Sequence, residues 1–299
     1  MAVDNPMLAA GSVLIPDEFR YDLQGLTYGK SVALNLMRRI PCSQRRVYLH
    51  RVASIAGLDW VAERAVKPQT SMTWERLELN VLELAGVMVL SDRFGAENSL
   101  KSGINAHITS EMASKVAEQL DQALLGGELS SAGSPSPTGL VYNSELPEMD
   151  LDAYDSDLGG NVLDMLGHVR GHGYSPNAIL MDPATLHALL KVEDGNQRPK
   201  YPSLHSASPS LWGVSVIEAP NLPHETEESA GVPRYIVAGD FQKAIIGVMP
   251  MSLRTSDVAT VGGESLFETD SYAIRWVFNV SSPLLVRPDA FIRMKVYIP

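Results

Sequence analysis

The chain has 299 residues, 45% of them hydrophobic, which is enough to bury the core of one large or two ordinary domains and excludes disorder as its main state. Its formal net charge of −11 argues against a protein that grips nucleic acid by neutralising phosphates. The single cysteine, Cys42, excludes an intrachain disulfide and a thiolate zinc cage, and it fits a reducing, intracellular setting.

The first residues, 1–12, lack the basic segment and apolar core of a signal peptide. No apolar run approaches the roughly 18 residues of a membrane span. We therefore expect a soluble protein with no signal peptide and no membrane partner.

Residues 1–46 have a mixed pattern, with a short helical possibility at 16–24 and an apolar turn at 32–37. This composition predicts an arm without a core of its own. Two segments rich in β-formers follow, at 47–52 and 73–84, and they predict a long hairpin with a polar tip from Trp60 to Pro68. An isolated hairpin is marginally stable in water, so we expect it to lie on another surface, and a neighbouring subunit is a natural candidate.

Residues 98–125 give the longest helical signal in the chain, with no proline and with Gly126 and Gly127 as a stop. Two apolar rows run along this helix, so burial on more than one side is expected. The rows are Ala113, Ala117, Leu120 and Leu124, and Ile104, Ile108, Met112 and Val116. We expect one row to pack on a strand at 272–280 and the other under the base of the hairpin.

The second half of the chain alternates short helices and strands, which predicts an α+β layer. Helices are expected at 161–170 and 183–191, the second with proline at its first position. Exposed loops are predicted at 194–210, which is rich in proline, and at 221–233, which is acidic. The expected strands are 178–181, 212–219, 235–239, 244–249, 252–255, 272–280 and 291–297.

Candidate chemistry is sparse. His168 and His172 have the spacing that lets two imidazoles face one zinc ion, but no glutamate base or third ligand accompanies them, so a helix end is the simpler interpretation. The acidic residues Glu225, Glu227 and Glu228 lack the spacing of a calcium loop. Phosphate-loop, dinucleotide and nucleophile-elbow motifs are not found in the sequence, and no cofactor is predicted.

Several short segments, taken in chain order over residues 47–299, resemble the major capsid proteins of tailed bacteriophages, the Hong Kong phage type. They are Trp60-Val-Ala-Glu63-Arg-Ala-Val-Lys67-Pro68, Leu90-Ser-Asp92, Leu120-Asp-Gln-Ala-Leu-Leu-Gly126, Ala178-Ile-Leu-Met-Asp-Pro183, Leu211-Trp-Gly213-Val-Ser-Val-Ile217, Val237-Ala-Gly-Asp240 and Arg287-Pro288-Asp-Ala-Phe291.

The resemblance implies an α+β capsid fold in four parts. Residues 1–46 would be the N-terminal arm and 47–85 the extended β-hairpin loop. Residues 86–138 and 251–282 would form the peripheral domain, with 98–125 as its spine helix. The axial domain would be 139–250 together with 283–299.

The resemblance also implies contact sites. Trp60, Glu63, Arg64, Lys67 and Pro68 of the extended loop would touch a neighbouring subunit. An axial loop at 194–210 would present Arg198, Lys200 and Tyr201 at the capsomer axis.

Some members of the family link subunits covalently through an extended-loop lysine and a peripheral-domain asparagine, assisted by a glutamate. Lys67 stands at the lysine position, but Ser271 and Phe278 lie where the asparagine and glutamate would be wanted, and Asn279 is out of place. We therefore expect a non-covalent shell.

The predicted function is that of a major capsid protein in the virion, which self-assembles in the host cytoplasm into hexamers and pentamers of an icosahedral shell. Expected partners are a portal, scaffolding or decoration proteins, and enclosed double-stranded DNA. The few residues ahead of Ile15 leave no room for a long charged prodomain, so scaffolding would be separate or absent. Two alternatives stay open: an encapsulin-type nanocompartment and a metal-dependent hydrolase built on His168 and His172.

Overall fold

The computed structural model describes residues 17–91, 101–127, 136–149, 157–224 and 232–298. Within them, the α-helices are α1 Asp17–Lys30, α2 Val32–Leu36, α3 Lys101–Gly126, α4 Leu158–Gly171 and α5 Pro183–Leu190. The strands are β1 Arg38–Pro41, β2 Arg46–Ala56, β3 Ser71–Ser91, β4 Glu148–Met149, β5 Ala178–Met181, β6 Ser210–Leu211, β7 Val214–Glu218, β8 Val232–Gly239, β9 Ala244–Ser256, β10 Thr260–Val261, β11 Glu264–Ser265, β12 Ser271–Ser281, β13 Leu284–Leu285 and β14 Phe291–Ile298. Short 3₁₀ turns lie at Pro202–His205, Phe241–Lys243 and Pro288–Ala290.

The first sheet has the order β1-β9-β12-β3-β2, with β13 paired to β9. Strand β3 pairs with two different strands. Its first half pairs with β2 from Ser71 to Asn80, and its second half pairs with β12 from Val81 to Ser91. The β2–β3 hairpin therefore projects from the edge of this sheet.

The second sheet has the order β4-β14-β8-β5-β7-β6 and is mixed, with β5 and β7 parallel across helix α5. Its two faces belong to different cores. Ile179 and Ile236 pack with α4 and α5, whereas Leu180 and Val237 face the core that holds α3. This alternation along buried strands is the expected two-residue period, and the predicted α+β class is confirmed.

Besides the connection through α3, the chain passes between the two sheets at two neighbouring points, Phe241–Lys243 and Pro288–Ala290. Phe241 and Phe291, both fully buried, meet edge to face there with ring centroids 5.4 Å apart. The Asp240 N–H also donates to the Ala290 carbonyl at 3.0 Å. These contacts join the two crossovers into one compact hinge region.

The N-terminal segment from residue 17 differs from the predicted arm. Helices α1 and α2 lie against α3, and Leu23, Ala33 and Leu34 are fully buried in the main core. The prediction of a segment outside the core is wrong for these helices; their buried positions are few, and Leu26 of α1 is 41% exposed, so no clear apolar period marks them in the sequence. Residues 1–16 lie outside the described part of the chain.

Helix α3 agrees with the predicted long helix, although residues 98–100 lie outside the described part. The row Ala113, Ala117, Leu120 and Leu124 is buried. The most extensive contacts of α3 are with α1 and α2, not with the strand at 272–280 or the hairpin base. Strand β12 nevertheless contributes Phe278 to the same core. The side chains of Ile104 and Ile108 are outside the described set.

Three predicted domain boundaries fall at places where the sheets do not divide. Strand β3 runs through residue 85 without a break because it pairs with β12 from Val81 to Ser91; Gly86 leaves room for the Trp276 indole, which would lie 2.1 Å from an added Cβ. Strand β9 runs through 250 because Pro250 sits at a bulge, where a missing N–H costs no ladder bond. Leu284 and Leu285, assigned to the axial part, pair with β9 of the first sheet.

Smaller elements follow the predictions closely. Strand β5 has the predicted bounds 178–181, and α5 begins at Pro183 with Asp182 as its N-cap. Gly262 and Gly263 form a turn with positive φ between β10 and β11. Among the helices of the described ranges, none has the length and apolar character needed to cross a bilayer.

Candidate assembly surfaces

The base of the β2–β3 hairpin is packed on one face only. Leu77, Leu79 and Val81 alternate with exposed neighbours and are 8%, 1% and 6% exposed. Opposite them in register lie Val47 and Leu49, which are half-buried. These side chains are thus shielded from solvent at the base of the hairpin.

The other face of the hairpin is exposed and apolar toward the tip. Ile55 pairs with Met72, and Val52 pairs with Trp74; the side chain of Trp74 is 62% exposed. Closer to the base, the Arg76 guanidinium lies 4.5 Å from the ring centroid of Tyr48, a cation–π contact. An exposed apolar ladder of this kind is typical of a protein contact surface.

The tip of the hairpin spans residues 57–70 and has no core. Trp60 is fully exposed, and Leu58 and Val66 are 75% and 93% exposed. The two ends of the tip meet closely: a Cβ on Gly57, whose φ is +83°, would lie 2.2 Å from the Gln69 carbonyl oxygen. The two strands therefore approach closely at Gly57 and Gln69, and the exposed tip lies beyond this point.

The five predicted contact residues of the extended loop all lie on this exposed tip. They are Trp60, Glu63, Arg64, Lys67 and Pro68. Arg64 has a φ of +67°, at a short turn closed by an Ala65 N–H to Ala62 carbonyl bond of 3.1 Å. Within the described chain, Lys67 makes no ion pair or hydrogen bond, so its ammonium is available to another molecule.

The loop at 194–210 is exposed for most of its length, as predicted. Asp194 organises its first turn, accepting from the backbone N–H groups of Asn196 at 2.8 Å and Arg198 at 3.0 Å. Arg198 itself is exposed at the surface. The turn therefore presents Arg198 on a locally ordered backbone.

Lys200 and Tyr201 fasten the loop at 194–210 instead of extending from it. The Lys200 ammonium and the Tyr201 hydroxyl both donate to Oδ1 of Asp157, at 2.9 and 3.2 Å. The hydrogen bond from Lys200 is the main reason that the pKa of Asp157 is below its usual range. Tyr201 is only 6% exposed and packs edge to face on Trp212, so in the single chain it supports the loop from below.

A buried carboxylate joins the N-terminal helices to α3. Asp121 accepts from the Ser31 hydroxyl at 2.6 Å and from the N–H groups of Val32 and Ala33 at 2.8 and 3.0 Å. Burial raises the pKa of Asp121, against the opposing effect of these donors. Ser31 is the N-cap of α2, with its hydroxyl accepting from the Leu34 N–H at 3.1 Å, and Asp121 completes this cap from 90 residues away in sequence.

The two histidines of the hydrolase alternative do come together. Their ring centroids are 4.5 Å apart, and Nδ1 of His172 lies 2.9 Å from the His168 carbonyl oxygen at the end of α4. In the described ranges, no group of three or more His, Cys, Asp or Glu side chains is placed to hold a metal ion. The residues Glu225, Glu227 and Glu228 lie outside those ranges.

Sequence reasoning missed the Asp121 cap and the exposed ladder of the hairpin. The ladder had a signal: residues 72 and 74 alternate with the buried positions 77 and 79 and are apolar where a solvated face would be polar. The Asp121 cap had none, because its partners are far away in sequence.

Comparison with known proteins gives a consistent result. The model of the phage capsid family matches residues 11–296. No curated protein matches the chain. A structure from Microbacterium phage Oxtober96 is similar at 19% identity and a TM-score of 0.67, covering 89% of this chain and 91% of the other.

Two further structures have the same fold. One from Mycobacterium phage Bobi is similar at 20% identity and a TM-score of 0.63, covering 99% of this chain and 94% of the other. The capsid of an empty GTA particle, computed with C5 symmetry, is similar at 18% identity and a TM-score of 0.67, covering 90% of each chain.

Proposed function

Since this chain belongs to the phage capsid family and is a major capsid protein, we propose that its hairpin lies on a neighbouring copy and holds the icosahedral shell together. The observation that carries this proposal is the exposure of apolar residues on the hairpin toward its tip. Trp60, Leu58 and Val66 at the tip, with Trp74 on the far face, are exposed in the single chain.

Burial of these side chains on a second copy is favourable. Each Å² of apolar surface removed from water contributes about 25 cal/mol, and a hairpin repeated in every subunit multiplies that gain over the shell. The neighbouring copy would supply the packing that the free hairpin lacks. Folding of the tip and closure of the shell are then coupled.

The loop at 194–210 would surround the axis of hexamers and pentamers. Its support is the combination of an exposed Arg198 with a fixed base at Asp157, Lys200 and Tyr201. The backbone of this loop would stay fixed, while its exposed side chains adopt different conformations in hexamers and in pentamers. Tyr201 acts in this arrangement by fixing the loop.

The shell would be non-covalent. Phe278, which stands where the family's glutamate is wanted, is 2% exposed and part of the main core. Lys67 would then form at most an ion pair with the neighbouring copy. Denaturing electrophoresis of mature particles checks this: a single subunit band is expected, and ladders that disappear in Lys67→Ala would overturn the proposal.

The shell would enclose double-stranded DNA without sequence-specific binding, since a net charge of −11 limits adhesion to phosphate. Its assembly would take place in the host cytoplasm, with a portal and with scaffolding or decoration proteins as partners. The encapsulin-type alternative receives no support from the neighbouring structures described above.

Deletion of the tip tests the hairpin proposal. Because Gly57 and Gln69 already meet, residues 58–68 can be replaced by Asn-Gly, which favours a tight hairpin turn. We expect a folded subunit that forms no closed shells by negative-stain microscopy. Gly262→Asn, which places the same Asn-Gly pair in the β10–β11 turn, is the control and should leave shells intact.

A further inference from the structure

Two arginines link the hairpin to the body of the subunit in a reciprocal arrangement. Arg51 of β2 donates through Nη1 to the carbonyl oxygen of Val286 at 2.7 Å. Arg287 donates through Nη2 to the carbonyl oxygen of Val52 at 2.9 Å. Each guanidinium thus bonds to the backbone beside the other arginine.

The two arginines meet β2 at a bend in the strand. Strand β2 is the edge of the first sheet, and its register with β3 shifts between Val52 and Ser54. A bulge of this kind bends the strand and leaves edge carbonyls without ladder partners. Arg287 satisfies the Val52 carbonyl at the bend itself.

The Arg51 side chain is also fixed on its second side. Its Nε donates to the carboxylate of Glu75 on β3 at 2.7 Å, and the side chain is only 18% exposed. Hydrogen bonds from a largely desolvated guanidinium are stronger than neutral ones. Both strands of the hairpin are therefore tied to one guanidinium.

The other end of the linkage is the hinge region between the two sheets. The Val286 N–H donates to the Lys243 carbonyl at 2.9 Å, at the end of the first crossover, and Arg287 directly precedes the second crossover. Residues 286–287 thus contact the first crossover and lead directly into the second, so the hairpin is bonded to a segment that touches both crossovers.

We infer that Arg51 and Arg287 form a latch that fixes the angle of the hairpin relative to the two sheets. With the latch closed, the hairpin leaves the body in one direction. With both guanidiniums withdrawn, only the buried base around Leu79 holds the hairpin, and the bend at the bulge is free to open. The latch acts within one chain and does not depend on how neighbouring copies use the hairpin.

Distances between spin labels test the latch in the full chain. Labels are placed at Ala62→Cys on the tip and Gln119→Cys on the exposed side of α3, in a Cys42→Ala background. Labelled subunits are diluted in an excess of unlabelled chain, so that only distances within one chain are measured in either assembly state. Failure of shell formation then leaves the measurement valid.

The latch predicts a narrow distance distribution in this background and a distribution at least about twofold wider in Arg51→Ala/Arg287→Ala. Arg287→Gln, which leaves the Arg51 bond in place, should give an intermediate width. The control is Arg46→Ala, because Arg46 pairs with Glu78 inside the hairpin. Equal widths in all four chains would overturn the inference.

If the double variant does not fold, amide hydrogen exchange of Arg287→Gln decides the question. The latch predicts at least about threefold faster exchange at the β2 bulge and at Val286, with unchanged exchange in β5. Unchanged exchange at the bulge and at Val286 would refute it.

Discussion

The N-terminal segment 17–42 and the hairpin 46–80 have similar sequence character, yet they differ in what they bury. Both combine scattered apolar residues with many charges, and both were predicted to have little core of their own. In the structure, the segment 17–42 is part of the main core, whereas the hairpin buries only the face at its base. Apolar content is thus a poor guide to the role of a segment.

Long-range polar contacts account for much of this difference. Asp121 completes the cap of α2, and Lys30 donates to Ser110 and Ser114 of α3. The tip of the hairpin has no comparable anchor on the body within the described chain. The N-terminal segment therefore completes its hydrogen bonds inside the subunit, whereas the hairpin keeps an exposed apolar surface.

The largest expected effect comes from placing a charge in the shared core. Leu120→Asp buries an unpaired carboxylate at a position that is 1% exposed, and it should lower the free energy of unfolding by about 4 kcal/mol or more. Chemical denaturation measures the change. Gln119→Asp, on the exposed side of the same helix, is the control, and equal losses in both variants would show that α3 is not buried as described.

A cavity under the base of the hairpin should cost somewhat less. Leu79→Ala removes a side chain that is 1% exposed, with an expected loss of about 3 kcal/mol. The same denaturation measurement applies. A loss below about 1 kcal/mol would mean that the base is not packed on the subunit and that the whole hairpin is free.

Loss of the Asp121 contacts at the start of α2 should cost about 2 kcal/mol, since Asp121→Ala leaves the buried N–H of Ala33 and the partly buried N–H of Val32 without an acceptor. Increased proteolysis of the N-terminal helices, at sites within 17–36, should accompany the loss. Gln122→Ala, at the neighbouring exposed position, should change neither quantity. If the Asp121 variant had unaltered stability, Asp121 would not be what holds the N-terminal helices to the core.

The same carboxylate predicts a smaller dependence on pH. Burial raises the native pKa of Asp121 above the ordinary value of 3.8, so the native state binds the proton more tightly than the unfolded state. The resulting stability is fully present below the unfolded pKa and is lost as pH rises through the native pKa. The stability of the unchanged chain relative to Asp121→Asn should therefore fall with rising pH; a rise would contradict the assignment.

Local signals in the sequence were sufficient for elements whose partners are near in the chain. The four apolar residues 178–181 followed by Asp182 and Pro183 specify a strand and a capped helix, and Leu77 and Leu79 specify the buried face of the hairpin. The exposed tip residues were also found. These predictions depend on period and on turn chemistry, which act over a few residues.

Contacts between distant segments could not be predicted in this way. Ser31 and Asp121 are 90 residues apart, and Arg51 and Val286 are 235 residues apart. The predicted strand ended before Pro250, because the sequence does not show that Pro250 lies at a bulge of β9 opposite β12. The burial of Tyr201 depends likewise on Asp157 and Trp212, which arrive from other elements.

The smallest expected change in subunit stability comes from Trp74→Ala, which should affect assembly much more than folding. Trp74→Ala removes a large side chain from the exposed face of the hairpin, so the unfolding free energy of the subunit should change by less than about 0.5 kcal/mol. Closed shells should nevertheless become rare, because the same side chain is expected to be buried on a neighbouring copy. Thr73→Ala, which alters the other face, is the control. Normal shell yield in Trp74→Ala, measured by microscopy and sedimentation, would assign the contact surface to the tip alone.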